Sequence, residues 1–482
     1  MTTTVNPLQL EVTPEQVFHT LKNRRGCVWL DSSRPDERFG RYSFLTAEPF
    51  LVFSSRGDRW NVERTEGVPE RGAGDPFTKL AGLVAQYTSD QRTDAPFPVG
   101  GAFGYFSYDL KNQIERLPQR AHDDIGTPDC WFGFYDWLIV FDHVAERSFV
   151  IRNSLIGDSS NQQLLQCLQE SRVTSPESPI TSHQSPIESN FTRSDYLRAV
   201  ARAKDYITAG DTYQVNLSQR FHTQTNRTAA ELYLSLRETN PAPFAAYLDI
   251  GEAQILSSSP ERFLRLSGRH VQTRPIKGTR PRTGNEATDQ VAARELMMSA
   301  KDQAELVMIT DLERNDLGRV CEFGSVHVPE LVSLEAYATV FHLVSTVQGR
   351  LCDHLSHVEA LRACFPGGSI TGAPKIRAME IIDELEPHAR GVYTGAIGYF
   401  GFNGESDFNI AIRTMIQKQN NVYFHAGGGI VADSNPADEY DETLAKARGM
   451  MEALGRRGQG SEFSVQRRKA SNQVHRHSST WP

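Results

Sequence analysis

Strand-forming runs in the C-terminal half of this chain come in adjacent pairs joined by turns of only a few residues. "LSGRHV" (266–271) and "KQNNV" (418–422) are two such joints, each set between β-branched or aromatic runs. A turn that short reverses the chain, whereas parallel neighbours need a crossover of a dozen residues or more. The pattern therefore predicts antiparallel sheets in an α+β fold and argues against a doubly wound one. Strands are expected at 213–222, 244–250, 254–258, 262–266, 270–277, 394–403, 407–416 and 421–426. Helical periodicity appears at 192–208, 287–313, 355–364, 373–386 and 436–454. Residues 1–172 are strand-rich, and "VGGAFGYFSYDL" (99–110) sets glycines beside aromatics, a sign of close backbone packing.

At 482 residues the chain suits two or three domains. Two folded blocks are expected, 1–172 and 191–454. Between them "VTSPESPITSHQSPIESN" (173–190) reads as a linker, and the polar tail 455–482 reads as disordered. A net charge of −8 argues against a nucleic-acid binder, which would need a basic face, but leaves room for a small anionic substrate held by a local cluster of cations. The N-terminus shows no signal-peptide pattern, and no window of 18 apolar residues predicts a membrane span. The six cysteines, without CxxC spacing, read as thiols of a reducing cytosol, so a cytoplasmic protein is expected.

Several charges fall where a core is expected. Glu305 precedes Met308, Ile309 and Leu312 at i+3, i+4 and i+7, so it lies on the apolar stripe of its helix. A carboxylate there needs a cation, a metal or a proton, unless it reaches solvent at the stripe's edge. In "NPADEYDETLAKA", Asn435 and Pro436 open a helix that carries Glu439, Glu442 and Lys446 on one face. That face is either a surface ion pair or a second carboxylate set facing Glu305 around Mg²⁺. "HAGGGIVADS" (425–434) and "FPGGSITGAPKIRAME" (365–380) are glycine-rich elements that suit anions, the second ahead of a helix N-terminus. In "TRPIKGTRPR" (273–282), Lys277 is either a solvated charge at a strand end or a nucleophile.

Taken in order, "SPERF", "TRPIKGTRPR", "AKDQAELVMITDLERNDLGRV", "FHLVSTVQG", "FPGGSITGAPKIRAMEIIDELEP", "GAIGYF", "IAIRTM", "AGGGIVADS" and "DEYDETLAKA" resemble the chorismate-utilising enzymes over residues 25–455. The resemblance implies antiparallel sheets packed face to face with helices outside. The family includes anthranilate, aminodeoxychorismate, isochorismate and salicylate synthases. In the last two, a lysine of "KVxLSR" activates water. Here "YQVNLSQR" has Gln214 in that place, so ammonia is the implied nucleophile. Anthranilate synthases carry "PIAGTRPR", whereas "PIKGT" with Lys277 is similar to the aminodeoxychorismate branch.

In that branch the lysine attacks C2 of chorismate as the C4 hydroxyl departs, and ammonia then adds at C4. A lysine must be neutral to attack. Bringing its ordinary pKa of about 10.4 toward 7–8 takes about 4 kcal/mol of desolvation or of cationic neighbours. Arg274, Arg280 and Arg282 are the expected source of that field. The resemblance implies Glu261 as acid/base partner of Lys277 and His342 as helper for loss of the hydroxyl. It implies Glu305 and Glu439 as Mg²⁺ ligands, supported by Glu442. Arg413, Lys446 and the backbone of Gly427, Gly428 and Gly429 are expected on the substrate's carboxylates, Tyr393 at its enolpyruvyl end and Thr371 near its ring.

"LDSSRPDERFGRYSF" (30–44) and "NPAPF" (240–244) resemble the segments of a tryptophan pocket in relatives, so a bound tryptophan is a candidate partner. "LDSS" departs from the feedback-type "LLES". No cysteine stands in a G-x-C-x-G elbow, so ammonia is expected from a separate glutamine amidotransferase subunit or from solution. The competing readings are an anthranilate synthase large subunit and a non-catalytic tryptophan-binding homologue.

Overall fold

The computed structural model describes residues 3–8, 12–33, 40–88, 95–153, 185–336 and 340–455. Among them lie two sheets of twelve strands each, eleven in a continuous antiparallel order and one beside it: Gly372–Ala373 on Gln214–Gln224 in the first sheet and His327–Ala336 on Val340–Arg350 in the second. The first sheet runs Thr3–Pro7, Arg147–Asn153, Trp137–Asp142, Tyr42–Thr46, Val28–Asp31, Phe244–Asp249, Gln254–Ser259, Thr414–Lys418, Asn421–Ile430, Gln214–Gln224 and Glu188–Ser189. The second runs Ile276–Pro281, Val340–Arg350, His270–Arg274, Arg262–Ser267, Glu405–Ile410, Ala396–Gly401, Gly101–Phe106, Cys130–Tyr135, Leu51–Arg56, Arg59–Arg64 and Glu70–Ala73.

Period-2 alternation sets the layers. Along Gly101–Phe106, Phe103 and Tyr105 enter one core cluster while Ala102 and Phe106 enter another. The Phe103 cluster also holds Val28, Leu138, Ile255 and Ile416 of the first sheet, so it is the seam between two sheets packed face to face. On the outer face of the first sheet, Phe18, Leu232, Tyr233 and Ala447 bring in the helices Pro14–Leu21, Ala229–Thr239 and Pro436–Ala453. On the outer face of the second, Phe77, Leu80, Leu317 and Val358 bring in Pro76–Tyr87, Ala300–Gly318 and His357–Cys364. Each fully buried large side chain adds about 1.5–3 kcal/mol, so both faces of both sheets hold the fold together. The glycines of 99–110 do pack tightly: a Cβ on Gly104 would run into the carbonyl of Trp131.

The division into blocks differs from expectation. Val28–Asp31 pairs with Phe244–Asp249, and Gly101–Phe106 pairs with Ala396–Gly401. Strands from the described residues on both sides of the expected linker thus share both sheets, and a boundary there does not separate two cores. Within that linker Glu188–Ser189 pairs with the strand Gln214–Gln224, while residues 173–184 and 456–482 lie outside the described ones. Three expected elements are broken. The helix over 287–313 is two, Glu286–Met298 and Ala300–Gly318, with Ser299 ending one and capping the other. The strand over 270–277 breaks at Pro275, which has no N–H for a ladder. The strand over 407–416 breaks at Ala411–Arg413, where the chain changes sheets. Among the described residues no helix is long and apolar enough to cross a membrane.

Candidate active site

Two crossings of the chain between the sheets lie at the heart of the site. The first, at Pro260 and Glu261, leads from Gln254–Ser259 to Arg262–Ser267. The second, at Ala411–Arg413, leads back from Glu405–Ile410 to Thr414–Lys418. They are tied together. Ile410 N–H donates to the Glu261 carbonyl at 3.0 Å, Ser258 N–H to the Arg413 carbonyl at 3.0 Å, and the Ser259 hydroxyl to the Ile410 carbonyl at 2.6 Å. Arg413 has φ of 52°, a left-handed conformation that costs a non-glycine residue about 1–3 kcal/mol and persists where the surroundings impose it.

A cavity of about 530 Å³ opens at these crossings. Its wall brings together Glu261, Lys277, Glu305, His342, Tyr393, Arg413, Gly427, Gly429, Glu439, Glu442 and Lys446, from elements up to 185 residues apart in sequence. Lys277 is aimed by a bulge: the ladder with Val340–Arg350 slips between Lys277 and Thr279, and Gly278 takes φ of 68°. A side chain at 278 would meet Leu296 and Asp302 within about 3 Å. Lys277 Nζ donates to the Ser369 carbonyl at 3.2 Å, and the Ser369 hydroxyl donates to Glu261 Oε1 at 2.7 Å.

Burial holds the Lys277 amine below the ordinary lysine value; Glu261 opposes this and Lys446 adds to it. The expected arginine field is not what does so. Arg274 pairs with Glu335 at 2.5 Å, Arg280 with Asp302 at 3.1 Å and Arg282 with Asp289 at 3.2 Å, so each is neutralised by a carboxylate of a neighbouring element. Burial likewise pushes the Glu261 carboxyl up, against the Ser369 hydroxyl and Lys277. His342 stands beside the bulge, its Nδ1 3.0 Å from Thr279 Oγ1.

Three carboxylates face the same cavity. Burial pushes Glu305 and Glu439 up, the latter held at 2.6 Å by the Ser434 hydroxyl. Burial also works against Glu442, but Lys446 at 2.7 Å keeps its carboxyl below the usual range. A Cβ on Gly428 would lie 3.2 Å from both Glu439 Oε2 and Glu442 Oε1, so the glycine lets the two carboxylates close on the strand. An all-oxygen, anionic donor set that half faces an open cavity fits Mg²⁺, which keeps waters and shares its shell with substrate. The set is open: among the described residues the group of three with ligating atoms all within 4.8 Å is instead His122, Asp124 and His388. There Arg220 occupies both oxygens of Asp124, at 2.5 and 2.8 Å, and the group reads as an ion pair.

Gly427–Gly429 do not form a loop. They continue the strand Asn421–Ile430, paired with Ser218–Asn216, and Lys446 Nζ donates to the Gly427 carbonyl at 2.9 Å. Thr371 is fully buried, and its hydroxyl donates to the Gly367 and Gly368 carbonyls at 3.0 and 3.3 Å, so it clasps its own turn. Tyr393 stacks on His425, centroids 5.0 Å apart and planes 9° apart. Burial raises the Tyr393 hydroxyl to about 12 and keeps His425 neutral. Sequence reasoning missed Ser369, His425 and Asn216, all on the cavity wall. His425 Nε2 and Asn216 Oδ1 are buried without a hydrogen-bond partner in the protein, as are both amide atoms of Gln214, which lies behind Gly429.

The segments 30–44 and 240–244 meet at a second cavity of about 250 Å³, lined by Asp31, Ser32, Arg41, Tyr42, Phe44, Pro243, Phe244, Arg262 and Tyr399 among others. Residues 34–39 lie outside the described ones. The five described cysteines are free thiols, and Cys167 falls outside that set.

The model of the chorismate binding enzymes matches residues 26–452. "Anthranilate synthase component 1" of Acetivibrio thermocellus is 37% identical over 473 residues, covering 94% of this chain and 96% of that protein. "Aminodeoxychorismate synthase component 1" of Klebsiella aerogenes is 41% identical over 441 residues, covering 91% and 96%. The crystal structure of anthranilate synthase component I from Streptococcus pneumoniae TIGR4 superposes with a TM-score of 0.77 at 35% identity, covering 86% of this chain and 93% of that one.

Proposed function

The chain belongs to the chorismate binding enzymes, and we propose that within them it is the large subunit of an aminodeoxychorismate synthase. It replaces the C4 hydroxyl of chorismate by ammonia, giving 4-amino-4-deoxychorismate for p-aminobenzoate and folate synthesis. The observation that carries this reading is Lys277, aimed into the charged cavity with a lowered pKa and linked through Ser369 to Glu261. In this reading neutral Lys277 Nζ bonds to C2, both ring double bonds shift, and the C4–O bond breaks. Glu261 takes the proton of the amine, and His342 assists the departing hydroxyl, which leaves as water. Ammonia then bonds to C4, both double bonds shift back, and the C2–N bond breaks; Glu261 returns its proton to the lysine nitrogen, and His342 takes back the surplus proton of the new ammonium. The lysine occupies the approach to C2, so nitrogen arrives at C4.

Arg413 and Lys446 pair with the carboxylates of the substrate, and Tyr393 faces the enolpyruvyl end. Glu305, Glu439 and Glu442 hold Mg²⁺, which when bound supplies positive charge for the ring carboxylate. Ammonia comes from a separate glutamine amidotransferase subunit, and the enzyme works in the cytoplasm. The second cavity, with aromatic walls and both signs of charge, takes tryptophan.

An anthranilate synthase is the second reading, favoured by relatives of similar identity that carry that name. Incubation with chorismate, Mg²⁺ and ammonium separates the two. The proposal expects 4-amino-4-deoxychorismate with no direct fluorescence of anthranilate, and anthranilate as sole product would refute it.

A further inference from the structure

The turn Gly368–Ile370 carries a serine that touches both halves of the proposed reacting pair. Ser369 is 2% exposed. Its carbonyl accepts from Lys277 Nζ at 3.2 Å, and its hydroxyl donates to Glu261 Oε1 at 2.7 Å. Lys277 sits on the bulged edge of the second sheet and Glu261 on a sheet crossing; the pairing of Arg262 with Arg274 brings the two backbones alongside, and the Ile276 N–H reaches the Glu261 carboxyl. Ser369 adds a contact to the reacting atoms themselves, the Lys277 amine and Glu261 Oε1.

The turn itself is rigid for identifiable reasons. The Thr371 hydroxyl closes it from within. Arg390 donates to the Ile370 carbonyl at 3.1 Å and is itself fixed by Glu386 at 2.7 and 2.9 Å and by the Asn216 carbonyl at 2.7 Å. Arg390 and Glu386 are both nearly inaccessible, so this pair is a strong anchor. Gly368 lets the turn lie against Leu312; a Cβ there would be 2.6 Å from Leu312 Cδ2. The chain has thus placed a buried ion pair behind a serine that faces the cavity.

We propose that Ser369 is a positioning residue: its carbonyl holds the Lys277 amine and its hydroxyl holds the Glu261 carboxylate, so that proton transfer between them needs no rearrangement. This rests on the proposed roles of Lys277 and Glu261. The hydroxyl orients the carboxylate lone pairs, and the fixed carbonyl points the amine; neither contact involves the substrate. Misplacing a catalytic group by a fraction of an ångström is costly for turnover and nearly neutral for binding.

The test is a double-mutant cycle read on chorismate turnover at saturating ammonium. Ser369→Ala is expected to lower kcat by about 10–100-fold with KM within about threefold, a loss typical of removing an outer orienting hydrogen bond. Ser369→Thr, which keeps the hydroxyl, is expected to recover to within about fivefold of the parent. In a Glu261→Ala background, Ser369→Ala is expected to cost less than about twofold, because the bond it removes is already gone. An equal fold loss in both backgrounds, or a loss seen mainly in KM, would overturn the proposal and leave the covalent role of Lys277 standing. A Lys277→Ala protein that aminates at full rate would overturn the covalent reading itself, and this role with it.

Discussion

The two cavities of this molecule are built from similar residues and differ in how their charges are paired. In the second cavity the acids and bases are already matched. Arg41 grips Asp142 at 2.9 and 2.8 Å, Arg262 grips Asp407 at 2.9 and 2.8 Å, and Asp31 takes Arg237 at 2.6 Å. In the first, Glu305 and Glu439 face the space with no close ion pair among the described residues, Glu442 beside them is paired with Lys446 at 2.7 Å, and Lys277 and Glu261 meet it at Ser369. Burial opposes the charge of Lys277, Glu261, Glu305 and Glu439 alike. A cavity whose charges are satisfied is suited to binding. One that collects like charges has free energy to gain from a cation and an anionic substrate, and it supplies groups of shifted pKa for proton transfer.

The comparison breaks most sharply at Lys277. Lys277→Ala is expected to lower C4 amination by about 10³-fold or more while leaving any ligand of the second cavity bound as before. Product analysis beside a tryptophan titration checks both halves. Arg413→Ala is expected to lower kcat/KM by about 10–100-fold, chiefly through KM, since one charge-assisted hydrogen bond to a carboxylate is worth about 1.5–3 kcal/mol. Steady-state kinetics in chorismate will show the split.

Acidity gives a third test. Because burial lowers the pKa of Lys277, its neutral fraction is large above that pKa and falls as pH drops through it. The rate of the chemical step is therefore expected to fall by about tenfold per pH unit on the acid side. A rate that stays level as pH falls from the ordinary lysine range into acid would put the attacking group elsewhere. Glu439→Gln is expected to raise the Mg²⁺ concentration needed for half-maximal rate by roughly tenfold, because one anionic oxygen ligand is lost. The smallest effect belongs to the second cavity. Arg41→Ala is expected to leave chorismate turnover within about twofold and to weaken tryptophan by about tenfold, as judged by calorimetry. Equal damage to turnover would mean that the two cavities are coupled.

Much of the architecture was legible because it is local. Hairpin turns named the antiparallel pairs, and Asn435 followed by Pro436 opens the last helix as expected, with Asn435 accepting from Ala437 N–H. The capping boxes Thr13–Gln16 and Thr228–Glu231 carried the same kind of signal for two helices that the periodicity did not bring out. What was not legible is long-range. Nothing in "NIAIRTM" or "SSSPERF" shows that the chain changes sheets there, yet those crossings are what place Arg413 and Glu261 together. Arg274, Arg280 and Arg282 looked like a field on Lys277 because their partners Glu335, Asp302 and Asp289 stand on other elements, and nothing in "TRPIKGTRPR" shows which of these pack against it. The glycines 427–429 fell beyond the expected strand 421–426 because a strand without side chains has no pattern, although its neighbour supplies the reason for it.

The central claim is that the amine of Lys277 bonds to the substrate before ammonia does. Mass analysis of protein quenched during turnover of chorismate, followed by peptide mapping, tests it directly. The account predicts an adduct on the peptide containing residues 273–282, absent in Lys277→Ala. No adduct in the parent protein, together with unimpaired C4 amination by Lys277→Ala, would contradict it.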